Sequence, residues 1–98
     1  MNERILLIDD DPSVLEVARL YLEREGYIVY SATDGRDGLA LGANRRPALF
    51  VVDLMLPDMS GEAVLQEIRR RSQVPVLMLS GRAGADERVQ GLSLGAVK

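Results

Sequence analysis

Four short apolar runs constrain this chain more than any other feature. They are Ile5-Leu6-Leu7-Ile8, Tyr27-Ile28-Val29-Tyr30-Ser31-Ala32, Ala48-Leu49-Phe50-Val51-Val52 and Val74-Pro75-Val76-Leu77-Met78-Leu79. A continuous apolar run of this length suits a strand buried on both faces, which is the pattern of a parallel sheet. The second run is more mixed, and that places it nearer a sheet edge. Between the runs the apolar residues change to helical spacing. Asp11-Pro12 reads as a carboxylate cap followed by proline at the first helical position. Val14, Val17, Ala18, Tyr21 and Leu22 follow as an apolar face, and Gly26 ends the helix in a left-handed conformation. A weaker helix is expected from about Asp34 to Asn44, with Leu39, Ala40 and Ala43 on one side. Gly38 and Gly42 lower its propensity by roughly 1 kcal/mol each relative to alanine. Ser60 caps a third helix reaching Arg69, whose Val64, Leu65 and Ile68 share a face. A last helix is expected from about Ala85 to Leu94, with Val89 and Leu92 on one face, Ala85 a candidate for the same face, and Gly95 closing it. The order β-α-β-α-β-α-β-α with short connections predicts an α/β fold, a parallel sheet with helices on both faces.

Composition removes whole classes of function. The chain has 98 residues, 47% of them apolar, enough for one small domain over residues 1–98 and too much for disorder. There is no cysteine and no histidine. Disulfide scaffolds, thiolate or imidazole metal sites and Ser-His catalysis are therefore excluded. A formal net charge of −3 makes direct nucleic-acid binding by the domain an unfavourable expectation. No apolar run reaches membrane-spanning length, and the start Met-Asn-Glu-Arg lacks the apolar segment of a secretory signal. A cytoplasmic domain without membrane contact is the resulting expectation.

In an open parallel sheet, ligands bind beyond the carboxyl ends of the strands. The residues there are Asp9-Asp10-Asp11 after the first strand, Asp53 after the third and Ser80 after the fourth. Clustered carboxylates repel one another, and a cation compensates them. With only oxygen ligands on offer, the ion is hard and divalent, Mg²⁺ or Mn²⁺. An ionised Asp beside it can attack an activated phosphoryl group and become an aspartyl phosphate. The plainer reading, that such residues only cap helices, suits Asp11 but not two strands delivering acids to one rim. Arg69-Arg70-Arg71 and Arg45-Arg46 read as compensation of helix C-terminal dipoles on solvated faces. Glu87 and Arg88 read as exposed helix charges or as part of a dimer contact.

Three segments together resemble the receiver domain of bacterial response regulators: residues 5–12 (Ile-Leu-Leu-Ile-Asp-Asp-Asp-Pro), 51–61 (Val-Val-Asp-Leu-Met-Leu-Pro-Asp-Met-Ser-Gly) and 74–81 (Val-Pro-Val-Leu-Met-Leu-Ser-Gly). The resemblance implies a flavodoxin-like doubly wound sheet of order 2-1-3-4-5 and phosphotransfer from a sensor histidine kinase. It implies Asp53 as phosphoacceptor and Asp9 and Asp10 as the acidic pair, with Asp10 the preferred direct Mg²⁺ ligand. Met55 would complete the metal site through its backbone carbonyl, and Ser80 would supply the switch hydroxyl. Pro57 and Gly61 would shape the loop after the acceptor. Apart from the resemblance, Met55 and Arg82, each two residues beyond Asp53 or Ser80, read either as residues that limit water access to the site or as a surface methionine and a solvated arginine. Residues 82–96 look most like the branch whose output is a winged-helix DNA-binding domain, so the implied output is transcription.

The family pattern continues into a fifth strand bearing a site lysine and a fifth helix, whereas this sequence stops at Lys98. The sequence therefore reads as a receiver incomplete at its C-terminus. The missing lysine would be worth about 1.5–3 kcal/mol as a charge-assisted contact. An unpaired fourth strand predicts a homodimer, a strand-swapped oligomer or marginal stability. Two other readings compete with a phosphoacceptor switch. One is a Mg²⁺-dependent phosphohydrolase with an aspartyl nucleophile, which Met55 opposes because no acid–base carboxylate stands there. The other is an interaction module that keeps the fold without the chemistry.

Overall fold

The computed structural model describes residues 2–79. The chain order is β1 (Arg4–Ile8), α1 (Pro12–Arg24), β2 (Ile28–Ala32), α2 (Gly35–Arg45), β3 (Leu49–Asp53), α3 (Gly61–Arg69) and β4 (Val76–Leu79). The expected last helix over 85–94 lies outside the described residues. Among the described residues all strand pairs are parallel, and the spatial order is β2-β1-β3-β4. The chain leaves β1 toward β2 and then crosses back to β3. The direction of winding therefore reverses between β1 and β3, the position where open α/β sheets form a crevice. Among the described residues, the mixed second run lies at an edge of the sheet, as its composition indicates.

Alternation along the strands divides the core between the two faces. Leu6, Ile8, Phe50, Val52 and Met78 point to the side covered by α3, where Val64 and Ile68 join them. Ile5, Leu7 and Val29 point to the other side, against Leu15 of α1. The helix ends follow their local sequence. The Asp11 carboxylate accepts the Ser13 N–H at 3.0 Å, and Gly26 takes a φ of 96° beyond α1. The Ser60 hydroxyl accepts the Ala63 N–H at 3.0 Å, and the Asp34 carboxylate accepts that of Asp37 at 2.7 Å. Among the described residues, no helix is long and apolar enough to cross a membrane.

Two helix faces differ from the sequence expectation. On α1, Leu15 is buried with Ala18 and Leu22 packed beside it. Val14, Val17 and Tyr21, three of the expected face residues, are 41%, 54% and 62% exposed. Residues 14, 17 and 21 and residues 15, 18 and 22 form adjacent stripes with the same spacing, so periodicity cannot choose between them. Docking onto the sheet selects the second. On α2, the buried residues are Gly35, Gly38 and Gly42, while Ala40 and Ala43 face outward. A methyl group on Gly38 would collide with the Ile8 side chain, and one on Gly42 would lie 2.6 Å from the Phe50 ring. The glycines that weaken the helix thus let its backbone lie against the sheet.

Candidate functional site

The register of the sheet brings the strand ends into one rim. Ile8 is paired with Ala32 and with Val52, and Asp53 with Leu79. Asp9 continues this ladder by one residue, its N–H donating to the Ala32 carbonyl at 3.1 Å. Its carboxylate accepts the Asp11 N–H at 2.9 Å, which fixes its orientation. Asp53 is the last residue of β3 and 7% exposed. Oxygens of Asp9, Asp10 and Asp53 all lie within 4.8 Å of one another. These come from two neighbouring strands, at the crevice where the winding reverses.

The electrostatics follow from that proximity. Partial burial pushes the Asp9 carboxyl above its ordinary range, and the nearby Asp53, Asp10 and Asp11 charges push the same way. Only the hydrogen bond from Asp11 opposes them. The chemistry of the donor set, all carboxylate oxygen, fits a hard divalent cation. Asp9, Asp10 and Asp53 are the residues that could hold one.

The loop after Asp53 is closed at its base. The Leu54 N–H donates to the Leu79 carbonyl at 2.7 Å, and the Gly61 N–H returns to the Leu54 carbonyl at 2.8 Å. Met55 and Ser60 form an isolated antiparallel bridge between these contacts. The Met55 N–H also reaches toward Asp53 Oδ1 at 3.4 Å, whereas its side chain is exposed. A Cβ on Gly61 would collide with the Asp53 carbonyl and stand 2.9 Å from Leu54 Cα. Both obstacles are backbone, so only glycine allows the loop to close this tightly behind Asp53. Pro57 is exposed in the bend at the loop tip. Ser80 and Arg82 lie outside the described residues.

The structure adds one residue to which sequence reasoning gave no role of its own. Asp58 spans from the loop tip to the start of α2, where its carboxylate accepts the N–H groups of Gly35 at 2.8 Å and Arg36 at 2.9 Å. Those partners are more than 20 residues away in sequence, so no local pattern signals them.

The model of the response regulator receiver domain matches residues 5–98. The chain belongs to this family. It is 42% identical over 95 residues to the probable transcriptional regulator ycf27 of Porphyridium aerugineum, covering 97% of this chain and 40% of that protein. It is also 42% identical over 93 residues to the transcriptional regulatory protein HprR of Escherichia coli K12, covering 95% of this chain and 42% of that protein. The chain therefore spans about two fifths of the length of these curated relatives. Among solved structures, a response regulator receiver domain protein from Methanospirillum hungatei superposes with a TM-score of 0.81 at 35% identity, covering 98% of this chain and 78% of that one. The receiver is thus an α/β domain of the response-regulator type, with an acidic pocket at the carboxyl rim of its sheet.

Proposed function

We propose that this receiver accepts a phosphoryl group on Asp53 from a sensor histidine kinase and, in the protein that carries it, uses that event to control transcription. The observation that carries the reading is the convergence of three carboxylates around a buried strand-end Asp. Mg²⁺, or Mn²⁺ in its place, would be held by Asp9, Asp10, Asp53 and the Met55 carbonyl. When bound, it neutralises the pocket and the incoming phosphoryl oxygens. The Asp53 carboxylate attacks phosphorus, forming a P–O bond as the bond to the donor nitrogen breaks. The electron pair of that bond leaves with the donor imidazole.

The surrounding residues orient this attack. The Met55 N–H lies beside Asp53 Oδ1, which biases the carboxylate toward one rotamer. In this reading Ser80 supplies a hydroxyl to the phosphoryl group, and Met55 and Arg82 restrict water at the rim. The domain acts on its own Asp and is no turnover enzyme. The exposed Met55 side chain supplies no acid–base group of the kind a phosphohydrolase needs. The transcriptional relatives support an output on DNA, made by a part of the protein other than this acidic domain.

Intact-protein mass after incubation with Mg²⁺ and a small phosphodonor tests the reading. The expected result is one added phosphoryl group, absent in Asp53→Asn. A folded chain that binds Mg²⁺ and gains nothing would overturn it.

A further inference from the structure

The loop from Leu54 to Ser60 is anchored at both of its ends in space. Its base is closed by the Gly61 to Leu54 hydrogen bond and the Met55–Ser60 bridge. Its tip is tied to a different element, the first turn of α2, through both carboxylate oxygens of Asp58. Asp34 caps α2 only in part: it accepts the Asp37 N–H at 2.7 Å and leaves the N–H groups of Gly35 and Arg36 to an acceptor from elsewhere. Asp58 takes two further first-turn donors across space. An anionic acceptor there gains both from charge-assisted hydrogen bonds and from the positive end of the helix dipole. The same bonds hold the Asp58 carboxyl below the ordinary carboxylate range, so it is ionised when it makes them.

Met59 strengthens the contact. A methyl group on Gly35 would collide with the Met59 side chain, so the loop and the helix backbone are in close packing beside the hydrogen bonds. The helix in turn lies on β1, with Gly38 against Ile8, the residue before Asp9. One carboxylate therefore joins the loop that follows Asp53 to the helix packed on the strand that delivers Asp9 and Asp10.

We propose that Asp58 is a positioning residue for the metal and acceptor site: by fixing the loop tip to α2, it holds the Met55 backbone and Asp53 in the geometry that binds the divalent cation. This rests on the reading of Asp53, Asp9 and Asp10 given above. Asp58 itself touches neither the cation nor the phosphoryl group. Its action passes through the loop backbone.

The control is built into the same helix. Asp34→Ala removes a cap bond from α2 without touching the loop, whereas Asp58→Ala removes two first-turn bonds and also releases the loop. Mn²⁺ affinity of the full chain, read from the spectrum of free Mn²⁺ at a temperature where circular dichroism shows each variant folded, separates the two. Asp58→Ala is expected to weaken Mn²⁺ binding about tenfold, the lower end of what outer-shell partners of metal ligands contribute. Asp34→Ala is expected to lower the melting temperature and leave Mn²⁺ affinity unchanged. Should Asp58→Ala fail to fold, Asp58→Asn serves, since it keeps the shape and one acceptor oxygen; an intermediate loss of affinity is then expected. Unchanged Mn²⁺ affinity in a folded Asp58 variant, or an equal loss in Asp34→Ala, would overturn the proposal. A wild-type chain that binds Mn²⁺ through Asp58-dependent geometry but takes no phosphoryl group would sink the phosphoacceptor reading alone. One that binds no Mn²⁺ would sink both.

Discussion

Gly61 and Asp9 show how single residues shape the pocket in opposite ways. Gly61 is required because the obstacles to a side chain there are backbone atoms of Asp53 and Leu54, which cannot swing aside. Gly61→Ala is expected to destabilise the fold by about 1–3 kcal/mol, as overpacking does, which a urea titration would measure. Asp9 is a liability to the metal-free fold, because its partly buried charge sits beside other carboxylates. Asp9→Asn keeps an oxygen for the Asp11 N–H and removes the charge. It is expected to raise the melting temperature without metal while weakening Mg²⁺ binding; a lower metal-free melting temperature would contradict this. Asp58 has the reverse sign. Its carboxyl lies lower in the folded chain than in the unfolded one because Gly35 and Arg36 donate to the ionised form, with the Arg36 charge adding to this. Its contribution is full above the ordinary carboxylate range and is lost as pH falls through the depressed folded value. The stability difference between wild type and Asp58→Asn should therefore be largest at neutral pH and close in acid, as parallel denaturant titrations would show.

At the level of elements, α2 sets two effects against each other. Replacing a helical glycine by alanine gains about 1 kcal/mol of intrinsic propensity. At Gly38 the added methyl would meet the fully buried Ile8. Overpacking a close-fitted core costs about 1–3 kcal/mol, so the collision wins. Gly38→Ala is expected to be destabilising by up to about 2 kcal/mol, and a more stable variant in thermal unfolding would show that α2 can lift off the sheet freely. The edge strand β2 has a different device. Ile28 donates inward to Glu3, so the neighbouring Val29 carbonyl faces away from β1. The Arg19 guanidinium covers it at 2.9 Å and also donates to the Ser31 hydroxyl at 3.1 Å. A charge laid along the strand discourages pairing with another chain at that edge.

On the scale of the whole molecule, the pocket belongs to the tertiary fold, since its carboxylates come from strands separated by α1, β2 and α2. A cation that binds the folded arrangement and not the unfolded chain stabilises by mass action, about 2.7 kcal/mol at a hundredfold excess over Kd. For a domain of this size that corresponds to a rise of more than about 10 °C in melting temperature. The rise should vanish on chelation and shrink in Asp53→Asn. Equal melting curves with and without Mg²⁺ would count against the acidic pocket as a metal centre.

The sequence by itself determined the alternation of strands and helices, the caps at Asp11 and Ser60, the edge position of β2 and the gathering of Asp9, Asp10 and Asp53 at one rim. These follow from local rules: apolar runs, spacing and the fact that parallel strands end at the same side. Only the tertiary structure decided which stripe of α1 is buried, because two stripes of equal periodicity compete and docking geometry chooses. It alone showed that the glycines of α2 share its packing face with Leu39 and Leu41, since their lack of a side chain has value only where another element comes close. And it alone tied Asp58 to Gly35 and Arg36, because a hydrogen bond between a loop and a helix far apart in sequence exists only once the sheet has brought them together.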